Sequence, residues 1–221
     1  MNWDPIWEQI YQARDWGKYP PEDLIRFIAR NFFYVKDRKQ VKILEIGSGM
    51  GANLWFFARE GFDAYGIDAS ETAIKKARNY LQNDNLSADM KVGDIIRLTD
   101  YYPESTFDAV VDIWCLYANR MSHVKCIVEQ IWKVLKPGGK IYSQLLDVET
   151  YGYGLGDEIE TGTYTNMREG PLKNRGVSHY FSFDEIQNLF GNFTSLEVEY
   201  CLYTIDKRQH LVKFWMVTGT K

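Results

Sequence analysis

Val41-Lys42-Ile43-Leu44-Glu45-Ile46-Gly47-Ser48-Gly49-Met50-Gly51 decides how the rest of this 221-residue chain is read. Val41–Ile46 is a short apolar run of the kind that forms a buried strand, and three glycines at alternate positions follow it. Glycines there permit a tight turn and let a ligand lie against bare backbone where a strand hands over to a helix. A glycine loop alone is also compatible with a purely structural turn, so its surroundings carry the argument.

Downstream, strand and helix signals alternate. Asn53–Glu60 reads as a short helix that Gly61 ends, and Phe62–Ile67 as a second strand. Ser70 is an N-cap for a helix with Ala73, Ile74, Ala77, Tyr80 and Leu81 on one face. Met90–Val92 and Phe107–Ile113 are the third and fourth strands. The next helix, with Val124, Ile127, Ile131, Val134 and Leu135 on its face, stops at Lys136-Pro137-Gly138-Gly139, and Lys140–Leu146 is the fifth strand. Such alternation implies a parallel sheet with right-handed crossovers. Ser182-x-x-Glu185 is a capping box for a last helix ended by Gly191. Ser195–Ile205 and His210–Thr218 then form a hairpin, which makes the final strand antiparallel. Upstream, Pro21–Asn31 carries Leu24, Ile25, Ile28 and Ala29 as the stripe of an amphipathic helix. Val148–Val177, with six glycines, has no strong periodicity and is expected to be irregular.

Three acids fall at the carboxyl ends of strands. Asp68 closes the second strand 17 residues after Gly51, Gly93-Asp94 closes the third, and Asp112 the fourth. Ligands of open α/β sheets bind at that edge, and an acid beside the glycine loop accepts ribose hydroxyls. Each acid alone also reads as a solvated strand end or a cap.

With these motifs in view, the chain resembles the class I S-adenosylmethionine-dependent methyltransferases, in their broad small-molecule "methyltransferase domain" group. Glu45-x-Gly47-x-Gly49-x-Gly51 matches the first motif, Asp68 the ribose acid and Gly93-Asp94 the adenine motif. Phe107–Val111 matches the fourth strand and Leu135–Gly139 the turn before the fifth. The resemblance implies a Rossmann-like α/β fold: a seven-stranded sheet in the order 3-2-1-4-5-7-6, its last strand antiparallel, with helices on both faces in a three-layer sandwich. It implies one domain over 1–221, divided into a helical cap (1–40), a cofactor-binding core (41–147), a substrate lid (148–178) and a closing helix with hairpin (179–221). It implies S-adenosylmethionine as cofactor, S-adenosylhomocysteine as product, and a contact set of Trp16, Tyr19, Glu45, Gly47, Ser48, Gly49, Asn53, Asp68, Ala69, Asp94, Ile95 and Asp112. Tyr11 and Arg14 join Trp16 and Tyr19 as resembling the residues that cover the methionine end in related enzymes. Trp3, Trp7 and Tyr11 at helical spacing equally suit simple packing.

Methyl transfer from a sulfonium needs a general base only where the acceptor must lose a proton. His179, just before the capping box, is the candidate base, and Asp112 the second catalytic candidate, expected to face the transfer site rather than to cap anything. His123 and His210 are weaker candidates. Asp112 and Asp147 do not make a convincing magnesium pair, so no metal is expected.

Composition bounds the partners. A net charge of −4 argues against a broad phosphate-binding surface. No Asn-Pro-Pro-Tyr run follows the fourth strand, so a small molecule is the expected acceptor and nucleic acid is not. Met1–Glu8 lacks an apolar leader region and no run approaches membrane-span length. Cys115, Cys126 and Cys201 lack metal spacing and read as buried, reduced thiols. A cytoplasmic monomer or homodimer is expected. A nicotinamide-dependent oxidoreductase, or a methyltransferase-like binding protein without turnover, are the alternatives; the first would want its third glycine at a different spacing.

Overall fold

The computed structural model describes residues 3–221; the first two residues of Met1–Glu8, read above for a leader, lie outside them. Two helices, α1 (Ile6–Ala13) and α2 (Glu22–Phe32), precede the sheet. The core then alternates as expected: β1 (Lys42–Ile46), α3 (Ala52–Arg59), β2 (Asp63–Asp68), α4 (Glu71–Asn83), β3 (Asp89–Val92), α5 (Leu98–Tyr101), β4 (Phe107–Ile113), α6 (Met121–Val134) and β5 (Leu135–Leu146). Three short strands follow, β6 (Asp157–Glu160), β7 (Thr163–Thr165) and β8 (Ser178–His179). The chain closes with α7 (Phe183–Leu189), β9 (Thr194–Ile205) and β10 (His210–Thr220).

The main sheet has seven strands in the order β3-β2-β1-β4-β5-β10-β9. Strands β1 to β5 pair in parallel, and β10 runs antiparallel to both β5 and β9. This is the Rossmann-like order implied by the motifs. Two buried clusters cover its faces. One gathers α6 and the small sheet around Leu44, Ile46 and Val110, the other gathers α2, α3 and α4 around Ile43, Ala109 and Val111. Alternate residues of β1 and β4 therefore face opposite helical layers, as the two-residue period of a strand requires.

Helix α4 begins where Ser70 accepts a hydrogen bond from the Ala73 N–H, and buries Ala73, Ile74, Ala77 and Leu81. The Ser182–Glu185 capping box of α7 is present in full. In α2 the stripe differs from expectation: Leu24, Phe27, Ile28 and Phe32 are buried, while Ile25 and Ala29 are only half-buried. The phenylalanines win because each ring removes more apolar area from water than isoleucine or alanine, and Phe27 packs on Tyr142 at 4.9 Å. Lys136–Gly139 does not precede β5 but lies inside it as a bulge. Leu135 pairs with Phe107 and Lys140 with Ala109, so the strand resumes its register after the loop-out.

Val148–Val177 is mostly turns and bends, as expected, but it is not wholly irregular. It contributes β6 and β7, which join β8 in a three-stranded antiparallel sheet. Tyr153, Tyr164 and Tyr180 meet edge-on beside this sheet, with centroids 5.6–6.1 Å apart. Gly170 is a packing point of this segment: a Cβ there would stand 2.4 Å from the Tyr151 carbonyl oxygen.

No helix of the described residues is long and apolar enough to cross a membrane. The three cysteines are free but half-buried rather than buried.

Candidate active site

The β1 loop turns through left-handed backbone at Gly47 (φ +61°) and Gly49 (φ +50°), conformations that glycine adopts at no steric cost. Space confirms the need: a Cβ on Gly47 would lie 2.3 Å from the Cys115 Sγ, and one on Gly49 would lie 2.8 Å from the Tyr11 hydroxyl. The loop is strapped to β2 by Asp68, whose Oδ2 accepts from the Gly49 N–H and Oδ1 from the Ser70 N–H, both at 2.8 Å. Burial raises the Asp68 pKa to about 6, against these backbone donors, which lower it.

Beneath the loop three polar atoms are buried without partners: Glu45 Oε2, Ser48 Oγ and Asn53 Oδ1. Glu45 Oε1 accepts from Asn53 Nδ2 at 2.5 Å, and burial pushes the Glu45 carboxyl well above the usual carboxylate range. Each unpaired buried group costs about 1–3 kcal/mol, a cost that a polar ligand in the loop relieves.

Two clefts meet here. The smaller is lined by Asp68, Ala69, Asp94 and Ile95 together with Trp3 and Trp7. Asp94 Oδ1 also accepts from the Ile96 N–H at 3.1 Å, forming the turn after β3. The larger, about 540 Å³, starts on Glu45, Gly49 and Asn53, passes Trp16 and Tyr19, and runs on to Tyr117, Arg175 and Tyr203. Gly47, Trp7, Tyr11 and Trp114 line both. Of the expected contact set, every member except Asp112 lines one of these clefts.

The N-terminal aromatics form the cover. No residue of α1 is buried, and the helix is held by polar clasps. Glu8 accepts hydrogen bonds from the Ser70 and Thr72 hydroxyls, and Lys76 Nζ donates to the Tyr11 carbonyl at 2.7 Å and pairs with Asp15 at 2.8 Å. Trp7 and Tyr11 lie 6.1 Å apart, and the Arg14 guanidinium sits 4.4 Å from the Trp16 ring. Packing and site-lining are the same act here.

Both catalytic candidates are displaced from the clefts. Asp112 is fully buried and caps the turn after β4: Oδ1 accepts from the Cys115 and Leu116 N–H groups at 2.9 and 3.1 Å, and Oδ2 from the Ser143 hydroxyl. Fully buried and lining neither cleft, it has no cleft-facing role, which corrects the expectation that it faces the transfer site. His179 is likewise fully buried, between Thr163, whose Oγ1 is 2.6 Å from Nδ1, and the Phe181 ring at 4.4 Å. Burial lowers its pKa, and it lines neither cleft, so it is not placed to take a proton from an acceptor there. His179→Ala is expected to lower stability by about 1–3 kcal/mol through the void and the lost hydrogen bond to the Thr163 hydroxyl, which keeps its bond to Glu160. Calorimetric affinity for S-adenosylhomocysteine, measured on the same variant, is expected to stay within a few-fold. Asp147 binds the Glu149 N–H and stands 3.5 Å from Lys213; among the described residues no His, Cys, Asp and Glu group is arranged for a metal.

Several cleft residues carry no sequence signal. Trp114 ends β4 at φ +59°, a left-handed backbone that costs an L-residue about 1–2 kcal/mol, and its Nε1 donates to Gln144 Oε1 at 2.7 Å. Gln144 in turn donates to Asp23 of α2. Tyr117, Gln144, Arg175 and Tyr203 come from four separate segments, so no local motif unites them.

A mixed sheet of this order with a glycine-turned β1 loop, an acid at β2 and a cleft at the strand ends defines the class I methyltransferase architecture. The "Methyltransferase domain" family model matches residues 43–139. Over this region the chain is a methyltransferase domain, its fold and relatives are those of S-adenosylmethionine-dependent methyltransferases, and the nicotinamide alternative is not retained. It is 31% identical over 211 residues to sterol 24-C-methyltransferase of Neurospora crassa, covering 90% of this chain and 52% of that protein. It is 26% identical over 225 residues to human tRNA N(3)-cytidine methyltransferase, covering 95% of this chain and 75% of the relative. A solved S-adenosylmethionine-dependent methyltransferase of Methanosarcina mazei has the same fold, with a TM-score of 0.70 at 19% identity over 92% of this chain and 98% of its own. The chain spans about half the length of several curated relatives it matches.

Proposed function

We propose that this chain methylates an oxygen or nitrogen of a small molecule bound in the larger cleft. The observation that carries this reading is the cleft itself, about 540 Å³, which begins on the glycine loop and continues past it between aromatic walls. That volume lies within the range of small-ligand sites. The net charge of −4 opposes a polyanionic acceptor.

When bound, the cofactor supplies a methyl group on a sulfonium, an activated leaving group. In this proposal the Gly47–Gly49 backbone accepts its close approach, and Asp68 holds the ribose hydroxyls. Ala69, Asp94 and Ile95 line the adenine side. Glu45, Ser48 and Asn53 offer their unpaired atoms to the methionine end under the cover of Trp16 and Tyr19. With His179 and Asp112 buried elsewhere, the protein acts by holding the reactants in line and excluding water, and such positioning contributes about 7–11 kcal/mol. The segment 148–178 supplies part of the acceptor wall through Pro171 and Arg175, in a single domain with residues 1–40 as its cap.

The test is transfer of labelled methyl from S-adenosylmethionine into a metabolite extract, with total tRNA in parallel. Label in the small-molecule fraction is expected. Label entering only tRNA would overturn the reading in favour of the chemistry named for the tRNA-modifying relative. No transfer to either, by protein that binds S-adenosylhomocysteine, would support the binding-protein alternative.

A further inference from the structure

The geometry points to Arg175 as the anchor for an anionic group, a carboxylate or phosphate monoester, on the methyl acceptor. This rests on the small-molecule reading above and names the acceptor's class. Arg175 is half-buried and lines the larger cleft. Its guanidinium stands 5.0 Å from the Trp16 ring and acts on the Tyr117 and Tyr203 hydroxyls. Among the described residues, none of the ion pairs involves Arg175. Asp4, which reaches the adjoining backbone, is committed to the N–H groups of Ile6 and Val177 at 3.1 and 3.0 Å.

A guanidinium partly withdrawn from water and left without a counter-charge is costly, and a carboxylate or phosphate matches its fork of donors. Tyr117 and Tyr203 add hydroxyl donors on the same wall. Glu45, the acid of this cleft, has its carboxyl held toward the neutral form by burial, so no fixed negative charge opposes an incoming anion.

The cofactor's own methionine carboxylate is the other source of the same chemistry. Affinity for S-adenosylhomocysteine separates the two. Tyr203 lies on β9, four strands from β1 in the sheet order, and at about 4.8 Å per strand that is roughly 19 Å from the strand that carries the glycine loop. Arg175 acts on the Tyr203 hydroxyl and also stands 5.0 Å from Trp16, and Arg14 stands against Trp16 at the covered end.

The experiment uses the full chain saturated with S-adenosylhomocysteine and a fragment set of aryl and alkyl carboxylates and phosphate monoesters, each paired with its neutral amide or alcohol. Binding is read by thermal shift and titration calorimetry. Acidic members are expected to bind at least about tenfold more tightly than their neutral partners. Arg175→Gln is expected to erase that preference and Arg175→Lys to keep part of it, with affinity for S-adenosylhomocysteine changed less than threefold in both. Equal binding of acidic and neutral members, a preference that survives Arg175→Gln, or no acidic fragment binding at all would overturn the inference. A tenfold loss of S-adenosylhomocysteine affinity in Arg175→Gln would also overturn it, by placing Arg175 on the cofactor's carboxylate. Failure of wild-type protein to bind S-adenosylhomocysteine would instead strike the functional reading beneath it.

Discussion

Gly49→Val is expected to abolish measurable binding of S-adenosylhomocysteine, a loss of at least about a hundredfold. Two effects act together. The backbone at Gly49 is left-handed (φ +50°), which an L-residue pays for with about 1–2 kcal/mol and a β-branched one with more. The new Cβ would also stand 2.8 Å from the Tyr11 hydroxyl, driving that ring into the space where both clefts meet. A folded variant, verified by its circular dichroism, that binds S-adenosylhomocysteine like wild type would refute the loop's role. Gly49→Ala separates the two effects: combined with Tyr11→Phe, which removes the clashing oxygen, it is expected to regain part of the affinity that Gly49→Ala alone loses.

Affinity for S-adenosylhomocysteine is expected to fall on acidification through Asp68. The ionised carboxylate is the form that accepts two hydroxyl hydrogen bonds, and burial raises its pKa to about 6. One pH unit below that value about a tenth of the group remains charged, so binding at pH 5 is expected to be about tenfold weaker than at pH 7.5. Asp68→Asn is expected to bind weakly at both values and to lack the dependence; a wild-type affinity constant from pH 7.5 to 5 would sink the assignment. Stability runs the other way. For Asp68 and Asp112, both raised to about 6 in the folded state from 3.8, the contribution to stability is fully present below the unfolded value. It is lost as pH rises through about 6, because the folded state holds those protons more tightly. A wild-type protein is thus expected to gain stability from these two groups at the pH where it loses ligand. Asp68→Ala goes further, since it also releases the straps on the Gly49 and Ser70 N–H groups.

The strand ends were legible because periodicity and glycine chemistry are local. The β1 loop, the Asp68 and Asp94 positions, the Ser70 cap and the terminal hairpin all follow from neighbours within a few residues. Position alone does not reveal the role of Asp112. Its strand-end position resembles that of Asp68, but the turn after β4 presents the Cys115 and Leu116 N–H groups and β5 presents Ser143, partners that only the fold brings together. His179 looked available because it sits between two segments in sequence; β7 and Phe181 close over it in space. The small sheet escaped notice because its strands are two to four residues long, below the length at which alternation can be counted. The acceptor wall, Tyr117, Gln144, Arg175 and Tyr203, is assembled from four distant segments, so no window of sequence contains it.

The helix α1 that roofs the cleft has no buried residue and hangs on Glu8 and on the backbone that Lys76 grips. Trp7 adds apolar packing to these clasps, and a ligand beneath the helix is expected to reinforce its attachment. Ligand binding and protection of this segment from cleavage become one linked equilibrium. Arg14 and Lys18 follow the helix on exposed chain, where trypsin cuts. Saturating S-adenosylhomocysteine is expected to slow tryptic cleavage at these two sites in proportion to its occupancy, leaving cleavage at the Lys207-Arg208 hairpin tip unchanged, and equal slowing at both places would mean that α1 is not the door.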